Sequence, residues 1–301
     1  MAQNILLTGA GGFVAGSIIH QTPAGSVLHA VSRGAARVER PGLVWHTADI
    51  QDAAALEQLL DQVRPDAVIH AAAIADIDVS QANQEMVKRL NTDTTATLAQ
   101  SCARRGVKLV HLSTDNVFDG EKGRYVEADP MASVNYYGWT KVWAEEAVRA
   151  AGGNAVVARV ALVMGLPVIG TGNSFLAKFM AAWKEGKSVG VPDIEVRSPI
   201  DVISLGAALL ELAGNDFQGT IHLGGSDILN RFEMAQRIAR KLGHTDALVY
   251  PNNPESIPGR APRPRDVSFD NSFARSVLQT PLPGIEGGLD LILAVEKEVR
   301  G

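Results

Sequence analysis

The first half of the chain alternates short apolar runs with stretches whose apolar residues recur every three or four positions. The short runs lack a helical period, which is typical of strands buried in a parallel sheet. The periodic stretches predict amphipathic helices. Repeated strand–helix units predict an α/β fold with a doubly wound parallel sheet covered by helices on both faces. The expected strands are Asn4–Thr8, Ser26–Val31, Leu43–Asp49, Ala67–His70, Val107–Leu112 and Ala155–Val160, and the expected helices are Ala53–Val63, about Gln84–Arg105 and about Tyr136–Ala151.

The alternation loosens after about Gly165. The remaining pattern predicts an amphipathic helix that begins near Thr171–Phe175, an extended segment, two further helices, a short strand and a loop rich in Pro, Asn and Arg. The extended segment is expected at Val189–Pro199, the short strand at Thr220–Leu223 and the loop at Pro251–Arg265. The two further helices are expected at Ala207–Ala213 and about Arg231–Leu242.

Glycines stand where the first strand meets the first helical pattern. Gly9 and Gly12 follow the strand directly, Ala15 takes a third small position, and the helical pattern starts at Phe13 and Val14. Glycines at such a junction allow a tight turn and let backbone N–H groups approach a pyrophosphate at a helix N-terminus. The sequence therefore predicts a dinucleotide site here.

This motif suggests a division of the chain into two parts. We expect residues 1–165 to form a Rossmann-type NAD(P)-binding domain, with a return of about 198–224 to it. Residues 166–301 are expected to form mainly a smaller, interleaved substrate-binding lobe.

The end of the second strand indicates which cofactor is preferred. An acid at this point usually binds the ribose 2′-hydroxyl of NAD, whereas an arginine accommodates a 2′-phosphate. The chain has Ser32 and Arg33 here and no acid, with Arg37 one turn further along. NADP(H) is therefore the preferred cofactor, and NAD remains possible.

Tyr137 and Lys141 are four residues apart in a predicted helix, so their side chains share one face. A free phenol has a pKa near ~10, and an adjacent ammonium stabilises its phenolate form. A hydroxyl from the Ser113-Thr114-Asp115 triplet could hold a substrate oxygen. Together these groups could move a proton at an oxygen while hydride is transferred at carbon.

Several of these candidates stand at the end of a predicted strand or directly after it. Gly9, Asp49, Ala71 and Ser113 all do so. In doubly wound parallel sheets, ligands bind beyond the carboxyl ends of the strands. The agreement of separate segments predicts a single site at this edge of the sheet.

Composition narrows the function classes. The net charge is −5 and no basic run stands out, so no nucleic-acid partner is expected. Cys102 is the only cysteine and the seven histidines form no ligand-spaced cluster, so neither a disulfide nor a metal site is expected. No run reaches membrane-spanning length and no basic leader is apparent, which favours a cytoplasmic protein without membrane contact. Helices flanking Tyr137 could form a homodimer face.

Four segments of the first half resemble one known family. Leu112–Gly120 is close to a Ser-Thr-Asp-Tyr-Val-Phe-Asp-Gly signature, and the other three resemble a strand ending, an Asn-bearing helix and an active-site motif: Val68–Ala73, Arg89–Thr92 and Tyr137–Lys141. The chain thereby resembles the extended short-chain dehydrogenase/reductase superfamily, and within it the dTDP-4-dehydrorhamnose reductase branch. Later segments, Gly172–Phe175 and Arg197–Pro199, resemble stretches that contact the sugar nucleotide in related enzymes.

The resemblance implies an NADP(H)-dependent reductase of a 4-keto sugar nucleotide. Tyr137 would be the general acid, Lys141 would lower the tyrosine pKa and bind the nicotinamide ribose, and Thr114 would bond the substrate oxygen. Tyr137 and Lys141 would thus also contact the cofactor, as would Gly9, Gly12, Phe13, Val14, Ser32, Arg33, Asp49, Ile50, Ala71, Ala72, Ala73 and, in a supporting role, Asn91. The substrate side would include Asp115, Asn116, Asn173 and Arg197.

Three departures from the branch pattern face the substrate rather than the cofactor. Asn116 stands where the branch has tyrosine, Val79-Ser-Gln81 replaces an acidic and lysine-bearing helix start, and Arg197 replaces a small or amide residue. Arg197 could bind a substrate phosphate bidentately or form an ion pair. Two other functions stay open: an NAD-dependent nucleotide-sugar epimerase or dehydratase, and a non-catalytic, cofactor-binding regulatory subunit.

Overall fold

A computed structural model of the 301-residue chain describes residues 3–34, 36–169, 174–254 and 258–300. Its strands are β1 (Asn4–Thr8), β2 (Val27–Ser32), β3 (Leu43–Thr47), β4 (Ala67–His70), β5 (Lys108–Thr114), β6 (Ala155–Val160), β7 (Val163–Met164), β8 (Val189–Pro192), β9 (Val196–Arg197), β10 (Ile200–Asp201), β11 (Gly219–Leu223), β12 (Leu229–Asn230) and β13 (Val249–Asn252).

Seven of these strands form one parallel sheet in the order β3-β2-β1-β4-β5-β6-β11. From β1, the strands β2 and β3 follow toward one edge of the sheet, and β4, β5 and β6 follow toward the other. The point between β1 and β4 is therefore the switch point, where ligands bind in doubly wound folds. This topology confirms the predicted α/β fold. The other strands pair in twos outside this sheet, as β7 with β10, β8 with β13 and β9 with β12.

Helices cover both faces of the sheet. They are α1 (Phe13–Gln21), α2 (Ala53–Val63), α3 (Ile77–Ala82), α4 (Gln84–Lys88), α5 (Thr94–Arg105), α6 (Tyr136–Ala151), α7 (Phe175–Lys184), α8 (Val202–Gly214), α9 (Arg231–Lys241), α10 (Ser272–Val277) and α11 (Ile285–Arg300). Within the described ranges, no helix is both long enough and apolar enough to cross a membrane.

Successive side chains of β1 point to opposite faces of the sheet, and each face has its own buried apolar cluster. Ile5 and Leu7 point to the face covered by α1 and α8, where they join a buried cluster with Leu209. Leu6 points to the opposite face and packs with Leu60 of α2 and other residues under α2 and α5. Because β11 belongs to this sheet and α8 covers one of its faces, residues from both halves of the chain build its core.

A third buried cluster lies away from the sheet. It joins α7, α9 and α11 through Phe179, Trp183, Ile238, Leu289 and their neighbours. The strand pair β8–β13 contributes Val191 and Val249 to the same cluster. The second half of the chain therefore has an apolar core of its own as well as a share in the sheet.

Several boundaries differ from the sequence prediction. The expected helix Gln84–Arg105 is interrupted by a π-helical turn at Arg89–Asp93. Helix α8 begins five residues before the predicted Ala207, because the buried carboxylate of Asp201 accepts bonds from two backbone N–H groups at its start. The predicted loop Pro251–Arg265 begins in fact as β13.

Three helices had no prediction: α3, α10 and α11. The longest, α11, has Gly287 and Gly288 in its first turn, and glycine weakens a helix by about 1 kcal/mol relative to alanine. Gly288 is needed for packing, because a Cβ there would lie 2.9 Å from the Asp201 Cβ. Tertiary contact outweighs propensity at this position.

Candidate active site

A cavity of about 340 Å³ opens at the carboxyl ends of β1 to β4. It brings together most of the residues predicted to contact a dinucleotide. Its lining includes Gly9, Gly12, Ser32, Arg33, Asp49, Ile50, Ala71, Ala72 and Ala73. The switch point of the sheet and the predicted cofactor residues therefore coincide.

The glycine turn has the geometry that a pyrophosphate requires. Gly9 has φ +71°, and a Cβ there would lie 2.6 Å from the Ala72 backbone nitrogen, so no larger residue fits. Gly12 caps α1 without a side-chain hydrogen bond, which leaves the first N–H groups of the helix for an anion. Phe13 and Val14 would contribute through these N–H groups, because their side chains pack against the apolar cores instead.

Two arginines line the end of β2. Arg33 and Arg37 both border the cavity, and the Arg37 guanidinium lies over Gly11, 3.1 Å from where a Cβ would stand. Ser32 turns its hydroxyl to the Gly34 carbonyl at 2.9 Å. This corner of the cavity is positively charged and therefore suits an anionic group on a ribose.

The lining of the cavity also contains residues that were not predicted to contact a cofactor. Gly11, Val31, Gly34, Ala48, Gln51 and Leu90 also line the cavity. All of them adjoin predicted residues, and all but Leu90, the neighbour of Asn91, lie at strand ends or in the glycine turn, where their position could have identified them. Leu90 comes from the π-helical turn, for which the helical pattern gives no signal.

Asn91 lies outside the cavity and connects its wall to α6. Its side chain accepts a bond from Ile74 N at 2.9 Å and donates to Ile74 O at 3.0 Å and to Thr140 Oγ1 at 3.1 Å. The π-helical turn directs this buried amide between the loop after β4 and the helix that carries Tyr137 and Lys141. Such turns often occur at functional sites.

The Tyr137 helix starts with a tight contact. Asn135 caps α6 by accepting a bond from Gly138 N at 2.9 Å. A Cβ on Gly138 would lie 2.1 Å from the Asn116 carbonyl oxygen. Only glycine lets α6 approach the turn after β5 this closely, and this approach places Tyr137 beside Thr114.

Tyr137 is buried, and burial raises the pKa of its phenol to about 12, against the opposing effect of a hydrogen bond with Thr114. This direction is opposite to the one expected from an adjacent lysine. A phenol with this pKa keeps its proton at neutral pH, which is the form that a general acid needs.

Lys141 is directed elsewhere. Its Nζ lies 3.2 Å from His111 Nε2, and no hydrogen bond joins it to Tyr137 among the described residues. Burial lowers the pKa of Lys141 to about 7, while Glu145 acts in the opposite direction. The i,i+4 spacing gives the two side chains a shared helix face, but Lys141 contacts a buried imidazole rather than the phenol. That Lys141 lowers the pKa of Tyr137 stays a prediction.

Asp115 and Asn116 form a 3₁₀ turn directly after β5. Asp115 accepts bonds through Oδ1 from Thr114 and from Asn116 Nδ2, at 3.1 and 2.8 Å. Its Oδ2 has no hydrogen-bond partner in the described part of the chain and lies 3.9 Å from Arg197 Nε. Burial raises the pKa of Asp115, and Arg197 opposes this shift.

Arg197 is buried, and backbone carbonyls occupy its Nη atoms. Nη1 donates to Val196 O at 2.7 Å and to Arg265 O at 3.1 Å, and Nη2 donates to Pro264 O at 3.1 Å. A bidentate bond to phosphate would compete with these contacts. Its contact with substrate stays a prediction, and Asn173 lies outside the described residues.

Residues 260–266, here called the strap, run past the Tyr137 helix. Arg263 forms a bidentate pair with Asp78 of α3 at 2.6 and 2.7 Å. Pro262 O accepts a bond from Asn135 at 3.2 Å, and Asp266 N donates to Gly120 O at 3.0 Å. The strap therefore joins the second half of the chain to the elements that hold Tyr137.

An excess of positive charge lies in the strap and beside it. Arg197, Arg260 and Arg263 all act electrostatically on Arg231, with Glu195 and Asp78 as nearby counter-charges. No group of three His, Cys, Asp or Glu residues within the described ranges could hold a metal ion.

Comparison with known proteins shows the family to which this chain belongs. Residues 3–297 match the family described as RmlD substrate binding domain, and the chain belongs to it. The chain is 31% identical over 268 residues to a dTDP-4-dehydrorhamnose reductase of Mycobacterium tuberculosis, covering 87% of this chain and 83% of that protein. It is 28% identical over 275 residues to methionine adenosyltransferase 2 subunit beta of Pongo abelii, covering 90% and 81%. The expected branch of the reductase superfamily is thereby confirmed.

Solved structures show the same fold. A dTDP-4-dehydrorhamnose reductase from Bacillus anthracis in complex with NADP has a TM-score of 0.87 at 23% identity, covering 98% of this chain and 99% of that one. DesIV, a dTDP-glucose 4,6-dehydratase from Streptomyces venezuelae with NAD and TYD bound, has a TM-score of 0.81 at 23% identity, covering 99% and 98%.

Proposed function

We propose that this protein is an NADP(H)-dependent reductase of a 4-keto sugar nucleotide. The observation that carries the proposal is the position of a protonated, buried Tyr137 beside Thr114 at the end of β5, next to the dinucleotide cavity at the ends of β1 to β4. The reductase relative of 31% identity supports the same reaction class.

In the proposed reaction, Thr114 and Tyr137 bind the carbonyl oxygen of the substrate. The nicotinamide, when bound, supplies hydride to the carbonyl carbon, and the phenol gives its proton to the oxygen. Lys141 is proposed to contact the nicotinamide ribose, and Asn91 to hold the wall of the cavity against α6.

NADP(H) is the proposed cofactor, and NAD is the alternative. Arg33 and Arg37 give the corner at the end of β2 a positive charge, and no acid lies at the end of β2 to select a 2′-hydroxyl. The remaining predicted cofactor residues would follow the dinucleotide across the carboxyl ends of the strands.

For the substrate, we propose a division of labour between the two halves of the chain. Residues 1–165, with the return of about 198–224, would bind the cofactor, and residues 166–301 would mainly bind the sugar nucleotide. The arginines in and beside the strap favour an anionic diphosphate there. Asp115 and Asn116 would face the sugar, and Asn173 remains a predicted contact. A cytoplasmic location and a homodimer also stay predictions.

The test is oxidation of NADPH, followed by absorbance, with dTDP-4-keto-6-deoxy-L-mannose as substrate and NADH in parallel. Faster turnover with NADPH supports the reaction, the substrate class and the cofactor together. Protein that binds NADPH but reduces no 4-keto sugar nucleotide would contradict the proposal.

Relatives named as subunits of methionine adenosyltransferase 2 favour one other candidate, a cofactor-binding regulatory subunit. That function predicts a stoichiometric enzyme partner and no NADPH oxidation. An epimerase or dehydratase would instead retain NAD through purification and show no net oxidation. Release of cofactor by denaturation, followed by chromatography, distinguishes these cases.

A further inference from the structure

A buried histidine contacts the lysine of the candidate active site. His111 of β5 has no exposed surface, Lys141 is 2% exposed, and 3.2 Å separates His111 Nε2 from Lys141 Nζ. An ammonium can only donate hydrogen bonds, so Nε2 accepts and the imidazole proton lies on Nδ1.

The neighbouring buried histidine of β4 is arranged differently. Thr95 Oγ1 donates to Asn91 O at 2.7 Å, so its oxygen accepts from His70 Nε2 at 2.9 Å. His70 Nδ1 then accepts from Thr8 Oγ1 at 2.7 Å. Both nitrogens of His70 are satisfied within the protein, as expected of a residue that serves packing.

His111, in contrast, leaves one nitrogen without a partner. Its Nδ1 is buried and has no hydrogen-bond partner among the described residues. An unmet buried donor costs stability, and apolar residues would pack in its place without that cost. Packing therefore does not explain why a histidine stands here, whereas its contact with Lys141 does.

We propose that His111 is a positioning residue for Lys141: its neutral imidazole accepts a hydrogen bond from the ammonium, fixes the direction of Nζ and stabilises the charged form of the lysine. The role of Lys141 in catalysis rests on the proposed function. The contact between the two side chains does not.

The other groups facing Lys141 do not replace His111. On α6, Tyr137 is neutral, and Glu145 is bound by Arg159 at 2.9 Å and by Ser113 at 2.5 Å. From β4, His70 is neutral, because burial lowers its pKa to about 3. Burial and Lys141 also hold the pKa of His111 well below its usual range, so the imidazole stays an acceptor at neutral pH.

The sign of the effect follows from these charges. Burial lowers the pKa of Lys141 to about 7, and an acceptor on Nε2 favours the protonated form against burial. Removal of the acceptor should therefore lower the pKa of Lys141 further. A hydrogen bond to a charged group corresponds to a shift of about one pH unit.

The primary experiment measures the titration of Lys141 directly, in full-length protein labelled with ¹³C at lysine Cε. The Lys141 signal is assigned by its loss in Lys141→Arg. His111→Gln keeps an acceptor near the position of Nε2, whereas His111→Met fills similar space without one. We expect His111→Met to lower the pKa of Lys141 by about one unit and His111→Gln to keep it near the wild-type value.

A control variant separates this effect from a general loss of stability. His222 is also buried and bonded, to Arg159 at 3.2 Å and to Tyr125 O at 3.1 Å, but it has no contact with Lys141. His222→Gln should lower the melting temperature without moving the Lys141 titration. An unchanged pKa in His111→Met, or an equal shift in His111→Gln and His111→Met, would overturn the proposal.

Kinetics give an independent readout once turnover is established. If the ammonium of Lys141 is required, the loss of kcat/KM at high pH follows its pKa, and His111→Met should move this limb about one unit lower. His111→Gln should restore the wild-type profile. A shift in the titration without any turnover would support the role of His111 and contradict the proposed reaction, so the two failures are distinguishable.

Discussion

At the scale of single residues, the site combines a phenol that keeps its proton at neutral pH with a lysine whose pKa is close to neutral pH. Both side chains are on α6 and both are buried, yet burial acts on them in opposite ways. It disfavours the charged form of each group, which raises the pKa of Tyr137 and lowers the pKa of Lys141. Near neutral pH this arrangement supplies a proton donor and an ammonium close to its titration point.

Replacement of Tyr137 by phenylalanine tests the acid. The ring still fills its space, while the proton that the proposed reaction takes from Tyr137 is gone. We expect kcat to fall by about 10²-fold or more, with the Kd for NADPH nearly unchanged. Steady-state kinetics and a fluorescence titration of NADPH measure the two quantities. Near-normal turnover would show that Tyr137 is not the acid.

Replacement of Arg33 by alanine tests the preference for NADPH over NADH. If Arg33 binds the 2′-phosphate, as proposed, Arg33→Ala should raise the KM for NADPH about tenfold and leave the KM for NADH little changed. Arg37→Ala is the matched variant, since both side chains line the same corner of the cavity. Equal changes for the two cofactors in both variants would contradict the assignment of this corner to the phosphate.

At the scale of elements, the site depends on pieces of chain that are far apart in sequence. The π-helical turn at Arg89–Asp93 aims Asn91 at the loop after β4 and at α6. The strap reaches from the second half of the chain to Asp78 and to Asn135, the cap of α6. Each contact holds the Tyr137 helix in a place that its own sequence does not specify.

The Asp78–Arg263 pair can be removed with little harm to the fold. Asp78 is half exposed, so this pair adds at most about 1 kcal/mol to stability. If the strap orders the substrate side, Asp78→Asn should raise the KM for the sugar nucleotide several-fold and leave NADPH binding intact.

Arg263→Gln should have the same effect, and the double variant should be no worse than either single one. Steady-state kinetics of all three variants provide the comparison. Additive losses, or a matching loss of NADPH affinity, would show that the two side chains act separately.

At the scale of the whole molecule, buried neutral histidines link stability to pH. Burial lowers the pKa values of His70 and His222 to about 3. In the unfolded chain, each would take up a proton near pH 6.5. The unfolded state thus binds more protons between about pH 6.5 and 3, and stability must fall as the pH falls through this window.

The expected slope is about 1.4 kcal/mol per pH unit for each of these histidines once the pH is well below 6.5. Urea unfolding at pH 7, 6 and 5 measures it. His222→Gln removes one of the titrating groups and should flatten the dependence by that amount. An unaltered slope in this variant would show that His222 is not the source.

The parts that the sequence predicted correctly are those encoded by local patterns. Strand β1, the turn through Gly9 and Gly12, and helix α6 follow from apolar period, glycine position and capping by neighbours within a few residues. The repeated strand and helix patterns also predicted a parallel α/β sheet. The carboxyl ends of its strands share one edge, and the site was expected there. The functional roles of the site residues stay predictions.

What the sequence determined by itself is the α/β fold, the dinucleotide turn and the presence of Tyr137 and Lys141 on one helix. Only the tertiary structure decided where those two side chains point and how readily each binds a proton. Spacing along a helix specifies a face, but a pKa depends on burial and on partners such as His111 on β5 and Thr114 at its end. The strap and the π-helical turn were also hidden, because long-range contacts outweigh local propensity there.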